Sequence, residues 1–149
     1  MFPRVTVPLR VWKGKGMKIT SALLAAQAMA RITRFSPDEV LKALQNGSGV
    51  VVDIREKDEV TETGIIPGAI HIPRGVLEFH VDPGSPDYRA DLTPEHAVIL
   101  VCEDGQRSAL ATETLKTLGF PHVAHLSGGF QAWKRQGLPI SDAFGEETT

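Results

Sequence analysis

Cysteine is nearly absent from this chain. Its 149 residues include one, Cys102. That excludes an internal disulfide and any cysteine-clustered zinc or iron–sulfur site within one chain. Acids are missing from the first 34 residues, where seven bases stand alone: Arg4, Arg10, Lys13, Lys15, Lys18, Arg31 and Arg34. The rest of the chain holds nine bases against eighteen acids, and the formal net charge is −2. So small and negative a total argues against nucleic-acid binding as the main role. Long apolar runs are missing too: none approaches the ~18 residues a membrane span needs. The five histidines are scattered and make no metal set.

What remains is the length and composition of a single α/β domain. A chain of 149 residues buries about two-thirds of its unfolded surface without a covalent staple. Three regions are expected: a basic extension over 1–34 with an amphipathic helix, a catalytic-size domain over 35–140, and a polar, frayed tail over 141–149. The basic start is open to four readings: no special role, a mitochondrial transit peptide, an anionic-surface anchor, or an arm that docks on an acidic protein partner. It does not read as a secretory signal, because Gln27 interrupts the apolar stretch Ala22 to Ala30. Met17 is an alternative start. A cytoplasmic setting is the default expectation, with the mitochondrial matrix as the alternative.

Ser21 to Ile32 contains good helix formers, with Leu23, Leu24, Met29 and Ile32 as its apolar side. Ser36-Pro37-Asp38-Glu39 reads as an N-cap, a proline at the first helical position and acids in the first turn. Val40, Leu41 and Leu44 form the expected buried stripe of that helix. Val50 to Val52 has no polar alternation, which suits an interior parallel strand covered on both faces. A charged helix over Glu56–Glu62 and a short strand over Ala69–Pro73 follow. Residues 74–80 read as a short helix and 82–96 as a surface loop. Ala97 to Val101 is the strongest strand and runs directly into Cys102. Ser108 to Leu118 reads as a helix with Leu110, Ala111, Leu115 and Leu118 facing inward. A strand at Val123-Ala124 and a helix from Phe130 to Arg135 complete the alternation. Such alternation implies a mostly parallel sheet with helices on both faces.

The order strand, Cys102-Glu103-Asp104-Gly105-Gln106-Arg107-Ser108, helix puts the thiol at the carboxyl end of a parallel strand, where open α/β sheets bind ligands. Backbone N–H groups at the following helix start lack intrahelical partners and favour an anion. Gly105 permits a tight backbone path, and Arg107 adds a cation with a forked donor. Nucleophilic sulfur chemistry needs such surroundings, because helix N-termini and cations favour the thiolate. A buried, inert structural cysteine is the competing reading.

Cys-x-x-Gly-x-Arg-Ser at 102–108 resembles the active-site loop of the rhodanese (thiosulfate sulfurtransferase) family. Asp53-Ile54-Arg55 with Glu59 resembles that family's Asp-x-Arg…Glu segment. Gly64-Ile65-Ile66-Pro67-Gly68-Ala69-Ile70-His71-Ile72-Pro73 is similar to its Gly-His-Ile-x-Gly-Ala-x-x-Ile-Pro segment, with Ile65 where histidine is usual. Gly128-Gly129-Phe130-Gln131-Ala132-Trp133 resembles its Gly-Gly-x-x-x-Trp motif. The resemblance spans roughly residues 34–140. It implies a rhodanese-like fold and a persulfide on Cys102. Sulfur would pass from a small donor such as thiosulfate to cyanide or a thiol, with no metal or organic cofactor. The loop amides would hold the outer sulfur, and Arg107 would orient the loop or bind donor oxyanions.

Glu103 and Asp104 set two negative charges beside that thiol, which implies weak thiosulfate affinity or another donor or acceptor. A non-enzymatic binding, sulfur-carrier or sensing module is the alternative of a different class. Phosphatase or arsenate-reductase chemistry is a third reading. Phosphate loops read Cys-x5-Arg, whereas only four residues separate Cys102 from Arg107. Arg74 and Asp53, each at a strand end, are candidates for the pocket rim, against salt-bridge and scaffold roles.

Overall fold

The computed structural model describes residues 3–4 and 12–144. Its centre is a five-stranded, all-parallel sheet in the order β1-β5-β4-β2-β3. The strands are β1 (Thr33–Phe35), β2 (Gly49–Asp53), β3 (Ile70–His71), β4 (Ala97–Val101) and β5 (Val123–Leu126). The helices are α1 (Ser21–Arg31), α2 (Pro37–Gln45), α3 (Lys57–Thr63), α4 (Leu77–Val81), α5 (Gln106–Thr117) and α6 (Gly129–Arg135). A 3₁₀ turn at Arg74–Val76 leads into α4.

Alternation within each strand sorts the core into two layers. Val98, Leu100 and Cys102 share one cluster with Ala111 and Leu115 of α5 and Leu77 of α4. Ile99 and Val101 share the other with Val40 of α2 and Phe130 and Trp133 of α6. The unbroken apolar run of β4 therefore reflects burial on both faces. At the start of α2 the Ser36 hydroxyl accepts from the Glu39 N–H, and the Glu39 carboxylate accepts from the Ser36 N–H. That capping box is worth about 1 kcal/mol.

Several sequence expectations change. The strand β1 has little sequence signal: of its three residues two are exposed and only Phe35 is apolar, and their role is to extend the sheet beside β5. In α1 the buried residues are Ala25 and Ala28, while Leu23 and Leu24 are exposed. Small residues allow α1 to lie close along α5, which leucines on that face would prevent. In α5, Leu118 is exposed, because it lies just past the end of the helix. The tail is not frayed at its start: Ser141 and Ile65 exchange backbone hydrogen bonds at 2.8 and 2.9 Å, and Phe144 packs edge-on against His71. Ile65 itself is buried. Residues 145–149 lie outside the described residues.

The direction of α1 matters for the site. α1 leads into β1 and α5 leads into β5, and those strands are parallel. Near their C-terminal ends the helices touch: Lys116 Nζ donates to the Arg31 carbonyl, and Arg31 pairs with Glu113 at 3.3 Å. The two helices thus run the same way. The N-terminus of α1, at Thr20, lies at the end of the molecule that carries the N-terminus of α5 and the cysteine loop.

Candidate active site

Cys102 follows the last residue of β4 directly, and Gly105 is the N-cap of α5. Gly105 adopts φ +100°, a left-handed conformation that other residues resist. The turn folds the chain back so that the N–H groups of Gly105 and Ser108 both donate to Cys102 Sγ, each at 3.2 Å. The Ser108 N–H belongs to the first turn of α5, so the sulfur satisfies a donor the helix leaves open. Asp104 takes another, accepting from the Gln106 N–H at 3.1 Å.

The loop is also held from behind. The Phe130 and Gln131 N–H groups, at the start of α6, donate to the carbonyls of Cys102 (2.8 Å) and Glu103 (3.0 Å). This docking requires Gly129. A Cβ there would stand 2.5–2.6 Å from the Cys102 and Glu103 backbones, and its φ is +66°. The second glycine of the Gly-Gly pair is thus a spacing requirement of the cysteine loop.

Two arginines tie the loop to the neighbouring elements. Arg107 makes no hydrogen bond to the sulfur. Its guanidinium forms a forked pair with Glu59 of α3, at 2.9 and 2.7 Å. The Arg107 hydrogen bond holds the Glu59 carboxyl well below its usual range, at about 2. Arg55 is fully buried and saturates its donors on Asp53, Thr63, the Gly64 carbonyl and Glu103, with Phe130 stacked 4.1 Å from it. Burial opposes its charge, but the Asp53 and Glu103 carboxylates outweigh this and raise its pKa.

The two rim candidates are not at a rim. Asp53 is 1% exposed and faces Arg55. Arg74 pairs with Glu78 at 2.6 Å and reaches Thr114, far along α5 from the loop. Gln106 is exposed, its amide directed to Asp104. Cys102 itself is 0% exposed. The amides converge as expected, but the mouth over the sulfur is closed. A shallow hollow of 440 Å³ beside the loop is lined by Thr63, Glu103, Phe130 and Lys134 and stops short of the sulfur. A larger, apolar one of 560 Å³ lies between α4 and the end of α5, away from the loop.

His125 of β5 was not singled out for the site. It is buried, and its Nδ1 lies 2.9 Å from Ser108 Oγ. Only the fold brings it there, since the two residues stand 17 positions apart in the chain. Burial first, and the Arg34 cation second, push its pKa down to about 4. The unfolded chain therefore takes up a proton near the ordinary 6.5 while the folded one does not. The stability from this group is complete above pH ~6.5 and is lost as the pH falls through about 4, a loss on the order of 3 kcal/mol. Urea titrations at pH 7 and pH 4.5 should show a smaller loss in His125→Asn than in the wild type.

Among the described residues no group of three or more potential ligands could hold a metal ion, and no helix is long and apolar enough to cross a membrane. The sequence model of one family, the rhodanese-like domain, matches residues 36–136. The chain is 33% identical over 98 residues to thiosulfate sulfurtransferase GlpE of Stutzerimonas stutzeri, covering 66% of this chain and 82% of that protein. Among solved structures it is similar to a Rhodopseudomonas palustris protein of unknown function described as a possible tyrosine phosphatase. The TM-score is 0.78 at 33% identity, over 84% of this chain and 96% of that one. It is also similar to a polysulfide-sulfur transferase homodimer of Wolinella succinogenes, with TM-score 0.68 at 28% identity, over 92% of this chain and 98% of that one.

Proposed function

The chain belongs to the rhodanese-like domain family, and from that premise we propose that it is a sulfurtransferase carrying sulfane sulfur as a persulfide on Cys102. The observation that carries this reading is the pair of N–H groups that converge on Cys102 Sγ at 3.2 Å. In the first half-reaction the Cys102 thiolate attacks the outer sulfur of a donor such as thiosulfate. The donor S–S bond breaks, and sulfite leaves with its electron pair. In the second, cyanide or a thiolate attacks the outer sulfur and releases Cys102 as thiolate. Two displacements through one covalent intermediate give ping-pong kinetics. This chemistry uses no metal or organic cofactor.

Because Cys102 is 0% exposed, the loop must open before a donor reaches the sulfur. The partly exposed Arg107–Glu59 pair ties the start of α5 to α3. The test is to incubate the wild-type protein with thiosulfate, polysulfide and a thiol persulfide, trap the product by alkylation, and look for a sulfur-loaded Cys102 peptide by mass spectrometry. A loaded peptide is expected with at least one donor. None with any of them, while thiosulfate and cyanide give no thiocyanate, would leave a non-enzymatic binding or sensing module.

A phosphatase reading has the Rhodopseudomonas palustris neighbour in its favour. Against it stand the four-residue spacing and the direction of Arg107, which binds Glu59 instead of closing a phosphate cradle.

Donor preference follows from charge. Glu103 is paired with Arg55, whereas Asp104 is exposed at the loop. Asp104→Ala should lower the KM for thiosulfate about two- to fivefold, by removing repulsion of a dianion. Steady-state kinetics at low ionic strength measure it, and Glu103→Ala should change less.

For partners, the reading is a small sulfur donor and a thiol or cyanide acceptor, with an acidic protein drawn by the basic arm. Support comes from the direction of α1, which brings Lys18, three residues before its start, to the end of the domain that bears Cys102. Deleting residues 1–19, which spares α1 and β1, should weaken capture of acidic proteins. We take the setting to be the cytoplasm, where a lone thiol stays reduced.

A further inference from the structure

Beneath the cysteine loop lies a polar chain that the transfer steps above do not use. Cys102 Sγ is 3.4 Å from Ser108 Oγ, and Ser108 Oγ is 2.9 Å from His125 Nδ1. All three side chains are buried, and His125 Nε2 has no partner among the described residues. The Gly105 carbonyl, 3.2 Å from Ser108 Oγ, is the one other partner of that hydroxyl.

The protons in this chain can be counted. The imidazole is neutral, since it is buried with the Arg34 cation as its charged neighbour. It then has one N–H. A proton on Nε2 would bury an unpaired donor, whereas a proton on Nδ1 leaves only a lone pair unpaired. Buried orphan N–H groups are the rarer and costlier of the two. The proton therefore sits on Nδ1 and is donated to Ser108 Oγ. The serine has a single proton of its own, and it must go to the Gly105 carbonyl or to the sulfur.

We propose that His125 is a positioning residue that frees the Ser108 hydroxyl proton for the Cys102 sulfur. In the thiol state Cys102 S–H donates to Ser108 Oγ, and the serine proton rests on the Gly105 carbonyl. When the thiol proton leaves to solvent, the hydroxyl swings from that carbonyl to the sulfur. The anion then has three donors, the Gly105 and Ser108 amides and the Ser108 hydroxyl. The imidazole stays neutral throughout and exchanges no proton with the sulfur. The charged groups around this chain are Arg34 on β1, Glu103 and Asp104 in the loop and Arg107 on α5. Arg107 is held by Glu59 and Glu103 by Arg55, and none of the four bonds Ser108 or His125. The inference deepens the reading of Cys102 as a nucleophile and rests on it.

The test reads the thiol without requiring sulfur transfer. Cys102 is the sole cysteine, so the rate of iodoacetamide alkylation against pH reports it alone. Loop opening scales the rate at every pH, whereas ionisation moves the midpoint. His125→Leu should raise the midpoint and lower the rate constant at pH 7 about three- to tenfold. Ser108→Ala should do the same, and the double variant should add nothing. His125→Asn, whose amide N–H can stand in for Nδ1–H, should restore the wild-type midpoint. On the wild type, nitrogen-15 NMR should show the Nδ1–H tautomer at pH 7. An unmoved midpoint in His125→Leu, additive shifts in the double variant, or an Nε2–H or doubly protonated imidazole would overturn the proposal. A protein that shows the tautomer and shift yet moves no sulfur would instead refute the functional reading alone.

Discussion

Cys102→Ser is expected to abolish sulfur transfer, with a loss of at least about a thousandfold in kcat/KM for every donor. The reason lies in the atom, not in the fold. A serine oxygen at this position would still accept the Gly105 and Ser108 N–H bonds that the sulfur accepts at 3.2 Å. The loop should keep its shape, and thermal melting should stay within a few degrees. A hydroxyl does not ionise in the range where a thiol does, and an oxygen does not hold a sulfane sulfur that a second nucleophile can remove. No other thiol in the chain can replace it. Thiocyanate formation from thiosulfate and cyanide measures the loss. Activity within tenfold of the wild type would mean that sulfur passes directly between small molecules, without a protein-bound intermediate.

Arg55→Met is expected to cost about 3–5 kcal/mol of stability. The guanidinium is the hub of a buried network: Asp53 on β2, Thr63 and Gly64 at the end of α3, Glu103 in the loop, and the Phe130 ring of α6. Methionine preserves the apolar stem but strands the Asp53 carboxylate, 1% exposed, with the Arg55 backbone N–H as its remaining donor. It also frees the Gly64 carbonyl. For a chain of this size the melting temperature should fall by about 10 °C or more. Adding Asp53→Asn should recover part of the loss, because a neutral amide is cheaper to bury than an unpaired charge. A double variant no more stable than Arg55→Met would mean that the hydrogen bonds to Thr63, Gly64 and Glu103, and not the Asp53 charge, set the penalty.

Much of this was legible in the sequence where chemistry and chain order coincide. The run Ala97–Val101 into Cys102, with Gly105 three residues on, implies a strand, a left-handed turn and a helix start. No long-range information is needed to see that amides gather there. What escaped the sequence depends on pairs far apart in the chain. Arg107 meets Glu59 across 48 residues, which favours orienting the loop over binding a donor oxyanion, a choice the sequence leaves open. Asp53 is the counter-case: its scaffold pairing with Arg55, two positions on, is readable locally and is what the structure shows. The face of α1 is misleading in the sequence, because apolarity marks Leu23 and Leu24 whereas Ala25 and Ala28 are the buried residues. His125 carried no local signal, because its partner lies on a helix that crosses over the sheet.

The closed cover over Cys102 has a consequence for survival in oxidising conditions. A sulfenic acid formed by peroxide is normally rescued by a neighbouring thiol, and without one the ladder runs on toward irreversible acids. This chain has no second thiol to act as a resolver. At 0% exposure the sulfur is shielded from peroxide in this arrangement of the loop, and rescue from any damage rests on small thiols outside the protein.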